Sequence, residues 1–167
     1  MKRIVLLIIA VTVLKFSSLF AQSEKYQALF IYNFTKYIEW PINNNKEFVI
    51  GVYGNSNIIA ELEKVAANKK VGSQNIVVKS FSEAQEIISC NIVYIPANRN
   101  SKLDEVLANA KDNTLIVTDK KGAAKEGADI NFVIVEGKQK FEINSNNISK
   151  SGLKIDPNLL NLGINVI

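Results

Sequence analysis

No histidine occurs anywhere in the 167 residues. That absence removes the commonest general base, the usual Ser/His and Cys/His nucleophile pairs and the commonest zinc ligand. Cysteine is confined to Cys90, so no disulfide can form within one chain. Its neighbours Ile87, Ile88, Ile92 and Val93 favour a buried thiol, which behaves as a small core hydrophobe. No P-loop ending Gly-Lys-Ser/Thr and no three-glycine dinucleotide fingerprint is present. Carboxylate-only catalysis would need two acids facing one cleft. Only Asp119 and Asp129 fall near expected strand ends, and both stand in turn-like sequence suited to capping. No catalytic residue, metal ligand or cofactor is therefore assigned.

Long apolar runs are also scarce, with one exception at the start. Lys2 and Arg3 precede the uninterrupted stretch Ile4 to Leu14, and Ser17, Ser18 and Ala21 supply small residues beyond it. This is the pattern of a cleavable export signal over residues 1–21. The alternative, a retained anchor, would need roughly 18 apolar residues to span a bilayer, and Lys15 interrupts the run before that. Removing the signal takes away Lys2, Arg3 and Lys15 and no acid, so the formal charge of +4 falls to near +1. A nucleic-acid partner, which calls for clustered Lys and Arg, is not indicated.

Residues 22–167 fit one domain of ordinary size, large enough to bury a core without disulfides. The mature chain opens on a helix with Ser23 as its cap, Glu24 in the first turn and Pro41 closing it. Tyr26, Leu29, Phe30, Phe34, Tyr37 and Ile38 recur at helical spacing and form a broad apolar face, leaving Lys25, Lys36 and Glu39 to solvent. Asn43 to Asn45 make a turn-prone linker. Strands at 48–53, 75–79, 91–95 and 114–118 then alternate with helices at 56–68, 82–89 and 101–110. Such alternation predicts parallel strands joined by helical crossovers. The continuously apolar Ile92 to Ile95 and Leu115 to Val117 suit strands covered on both faces. The expected fold is a three-layer α/β/α sandwich, with an antiparallel hairpin over 130–143 turning at Glu136-Gly137-Lys138 toward the sheet edge. The asparagine clusters 43–45 and 144–147 read as loops. In the tail, Asp156 caps a helical turn with Pro157 at its first position, and Leu153, Ile155, Leu159, Leu160 and Leu162 pack inward.

Two surfaces stand out as candidates for binding. Tyr32, Tyr37 and Trp40 on the first helix could form an aromatic contact surface, against the ordinary reading that such stripes face the core. Gly54, Asn55 and Ser56 end a strand and open a helix, and Asp119 with Lys120 ends another. Doubly wound sheets hold small polar or anionic ligands at such places, although a tight turn with a helix cap explains the same residues.

Several blocks then fall in a recognisable order: Lys25 to Pro41 (KYQALFIYNFTKYIEWP), Phe48 to Gly54, Cys90 to Ile95, Leu115 to Asp119, Phe141 to Asn144, and Gly152 to Ile155 with Leu159-Leu160. In this order they resemble the YfiR-like family over nearly all of the mature chain. The resemblance implies a small periplasmic, non-enzymatic regulator that acts on the exported sensor region of a membrane signalling protein, such as a diguanylate cyclase of a cyclic di-GMP pathway or a sensor kinase. Characterised relatives carry several cysteines and respond to reducing conditions through disulfides. With Cys90 alone, a disulfide switch within one chain does not carry over. A homodimer through a helix face or the sheet edge is compatible with the pattern. The second reading, from a different class, is a small-ligand module using the strand-end loops.

Overall fold

The computed structural model describes residues 23–42 and 45–166, so the export signal at 1–21 and part of the 43–45 linker lie outside the described residues. Helix α1 (23–37) leads into the short strand β1 (Ile38–Glu39). The chain continues through β2 (Glu47–Tyr53), α2 (Ile58–Ala66), β3 (Lys70–Val71), β4 (Gln74–Phe81) and β5 (Ile92–Ile95). Next come α3 (Leu103–Asn109), β6 (Leu115–Thr118), β7 (Ile130–Val135) and β8 (Lys138–Ile143). The last elements are α4 (Ser145–Lys150), β9 (Lys154–Ile155), α5 (Pro157–Leu162) and β10 (Ile164–Asn165).

Eight strands form one sheet in the order β10-β8-β7-β6-β5-β2-β4-β3. Strands β7, β6, β5, β2 and β4 are mutually parallel, β3 pairs antiparallel with β4, and β8 pairs antiparallel with β7. The expected hairpin is present. Val135 faces Lys138 across a two-residue turn in which Glu136 and Gly137 both have positive φ, the geometry that matches strand twist. It is one strand in from the edge, because β10 adds a parallel pairing to β8.

Alternation along each central strand divides the core into two layers. Phe48, Ile50 and Val52 of β2 join Ile92 and Tyr94, Leu115 and Val117, and Ile130 and Phe132 in a cluster covered by α1, α2, α4 and α5. Val49, Tyr53, Val93, Ile95 and Ile116 face the other way, under Leu103 and Val106 of α3 and the short segment carrying Ala84 and Ile87. This is the three-layer α/β/α arrangement.

Local differences from the sequence expectation have local causes. Helix α1 stops at 37 rather than running to Pro41, because Ile38 and Glu39 pair with Ile155 and Lys154 and the Tyr37 carbonyl accepts from the Asp156 N–H at 2.7 Å. Ser23 lies within α1 and its hydroxyl bonds Gln139 across the fold at 3.0 Å, so it is a tertiary latch rather than a cap. The helix expected at 82–89 is a six-residue 3₁₀ segment, Ala84–Ser89, and the one at 101–110 is 3₁₀ over Ala97–Lys102 and α-helical only from Leu103. Both runs are too short to gain from cooperative propagation. The 144–147 asparagines are not a loop: Asn144 caps α4, accepting from the Asn147 N–H at 3.0 Å. Leu162 is 62% exposed rather than packed inward, since α5 buries Leu159 and ends at Gly163.

Candidate functional site on the first helix

Helix α1 carries two distinct side-chain rows. The inward row, Ala28, Ile31 and Phe34, is fully buried. Phe30 and Phe34 extend it into an aromatic cluster with Phe132 and Phe141, with ring centroids 5.1 to 6.4 Å apart. Ser23, at the start of the described helix, reaches Gln139 of the hairpin. The second row, Lys25, Leu29 and Tyr32, faces α2.

Between that second row and α2 lies an open groove of about 250 Å³, lined further by Glu61, Lys64 and Val65 and by Asn68 and Lys69 just beyond the helix. Leu29 is 42% exposed there, and Tyr32 is half-buried beneath Lys36, whose Nζ stands 4.7 Å from the ring centroid. The sequence reading put Leu29 and Tyr26 on the core face, and both are a little under half exposed. Phe30 and Phe34, packed on Phe132 and Phe141, take the inner face instead. Lys64 pairs with Glu61 at 2.6 Å. The spacing Lys25, Leu29, Tyr32, Lys36 was the available signal for this strip: apolar residues at i+4 and i+7 bracketed by cations.

The other two aromatic candidates sit lower on the molecule. Tyr37 is half-buried against the core near β9. Trp40 is half-buried, with its ring edge against Phe48 at 5.0 Å, and its Nε1 is enclosed without a protein acceptor.

Gly54, Asn55 and Ser56 follow β2, next to the place where chain order reverses across the sheet between β2 and β5, whereas Asp119 and Lys120 follow β6. Gly54 adopts φ +75°, and the Arg99 side chain lies directly over it. On the opposite side the first turns of α1 enter the crevice. Gln27, 3% exposed, accepts from the Tyr94 hydroxyl at 2.8 Å and also bonds the Asp119 carboxylate, while Glu24 bonds Asn57. Burial raises the Asp119 and Glu24 carboxyls above the usual range, and for Glu24 the negative charges of Glu61 and Asp119 add to the effect. Burial likewise raises the Tyr94 hydroxyl, which stays a neutral donor. Asn55 is exposed, and Lys120 is ion-paired with Glu126 outside this cluster. The structure thus gathers Gly54 and Asp119 near α1 and leaves Lys120 apart. The protein's own Gln27, Glu24 and Arg99 side chains contact Asp119, Asn57 and Gly54 at these strand ends.

Cys90 is buried, and desolvation pushes its thiol up to about 11, which leaves little nucleophilic thiolate at neutral pH. Among the described residues no cluster of three or more acids, cysteines or histidines could hold a metal, and no helix is long and apolar enough to cross a membrane.

The chain belongs to the YfiR/HmsC-like family, whose model matches residues 24–164. That family is one of periplasmic regulators in diguanylate cyclase signalling, and it is regulatory rather than enzymatic. No curated protein matches the chain.

Proposed function

We propose that this protein, exported by a signal at residues 1–21 and folded as one domain over 22–167, binds the periplasmic sensor region of a membrane signalling protein and modulates its output. The family match over residues 24–164 carries this reading. The partner is a diguanylate cyclase or a sensor kinase, and control works through different affinities for its inactive and active states. The contact surface is the outer strip of α1 around Tyr32, with Tyr37 at the end of the helix and Trp40 just past β1. A small-ligand role for Gly54, Asn55, Ser56, Asp119 and Lys120 is not favoured, because Gln27 already bonds the Asp119 carboxylate, Arg99 lies against Gly54 and Lys120 is paired with Glu126. The test is a pull-down of the tagged mature protein from detergent-solubilised membranes of its own host, with mass spectrometry. Retention of a membrane receptor carrying a cyclase or kinase domain is expected. Retention of nothing by a folded bait would contradict the proposal.

A further inference from the structure

We infer that the groove between α1 and α2 is the docking site for an acidic amphipathic helix supplied by the partner, an inference that rests on the regulator reading and gives it a surface and a chemistry. Leu29, Tyr32 and Val65 form an apolar floor between two helices. Three lysines, Lys25, Lys64 and Lys69, stand around it with one acid, Glu61, so the rim carries an excess of two positive charges. Glu61 is already paired with Lys64, and among the described residues Lys25 and Lys69 are in no ion pair. Lys36, over the Tyr32 ring, extends the cationic edge along α1.

Dimensions and charge choose the occupant. From Lys25 to Tyr32 the groove follows about 10 Å of helix axis, about two turns, the length over which a docked helix presents apolar side chains at i, i+4 and i+7. Flanking Asp or Glu residues on that helix would meet Lys25 and Lys69, adding steering and register to the apolar contact. A second copy of this chain would bring a like-charged rim against this one, which disfavours self-association here. A bilayer would need apolar residues that project, whereas Leu29 and Val65 line a recess between helices.

The test is photo-crosslinking in the full chain, exported into its own host, with p-benzoylphenylalanine in place of Leu29 and, in separate proteins, in place of the exposed Ile88 or Ile134. The expected result is a Leu29-position adduct on an exported segment of a membrane signalling protein, with apolar residues at helical spacing and an excess of Asp and Glu. Adding Lys25→Glu with Lys69→Glu should cut that adduct about tenfold while the protein remains folded. An adduct on lipid, on a second copy of this chain, or on a neutral or basic segment overturns the inference. So does an adduct that survives the double charge reversal. Capture of a signalling protein from Ile88 or Ile134 but not from Leu29 overturns the groove and leaves the regulator reading standing. Capture from no position removes both.

Discussion

The inward and α2-facing rows of α1 each pair an aliphatic with an aromatic side chain, Ile31 with Phe34 and Leu29 with Tyr32, yet do different work. Ala28, Ile31 and Phe34 are sealed against the sheet, while Leu29 and Tyr32, only a few residues away, border an open groove rimmed by lysines. The difference lies in what each row meets. The inward row finds the apolar face of the sheet and two further phenylalanines on the hairpin, and the other finds the short helix α2, which offers Val65 and then charged residues. Apolar periodicity alone therefore marks a helix as amphipathic without saying how much of its apolar face is core. The bracketing cations carry that second piece of information.

Truncating the sealed row should have the largest effect. Phe34→Ala is expected to cost about 3–5 kcal/mol in denaturant unfolding, since it opens a cavity among Phe30, Phe132 and Phe141. Leu29→Ala should cost under about 1 kcal/mol in the same assay, because much of that side chain is already in water. Equal costs would mean that the groove closes in solution. Gln27→Ala comes next, at about 1–3 kcal/mol, because it leaves the buried Tyr94 hydroxyl and Asp119 without their partner.

Buried acids away from the groove provide a comparison by pH. Asp129 is 2% exposed, accepts from the Ile116 N–H at 2.7 Å, and is pushed up to about 7 by desolvation. Its folded-state value lies above its unfolded one, so the folded chain holds the extra proton. The stability linked to it is complete below about pH 4 and is lost as pH rises to 7. Asp129→Asn keeps an acceptor for Ile116 and should raise stability at pH 8 by about 1–2 kcal/mol, several degrees in Tm, with little change at pH 4. Asp119 and Glu24 are raised in the same direction, so a weaker decline with pH should persist in the variant. The smallest effect belongs to the rim: Lys25→Glu with Lys69→Glu should leave unfolding within about 0.5 kcal/mol of the parent.

Much of the architecture was legible because strand cores such as Ile92–Ile95 are too apolar to be anything but doubly covered, and because the turn at Glu136-Gly137 admits few geometries. The tail was legible for the same kind of reason, with Asp156 and Pro157 marking the α5 start. What sequence could not show were long-range competitions. Pairing with β9 ends α1 at 37, Gln139 takes the Ser23 hydroxyl, and Asn144 caps a helix because α4 forms behind it. The candidate site was half legible. Tyr32 was visible as an aromatic on a helix, but its setting among Lys25, Leu29 and Lys64 exists only once α2 is laid beside α1. The strand-end loops were located by a sound rule, yet nothing in their own sequence revealed that Gln27 would bond Asp119 and Glu24 would bond Asn57.

The most direct measurement compares Leu29→Asp with the parent protein in retention of the membrane partner from host membranes, with thermal unfolding recorded on the same samples. The account predicts a Tm within about 2 °C of the parent and loss of the retained signalling protein. Undiminished retention by a folded Leu29→Asp protein would contradict it.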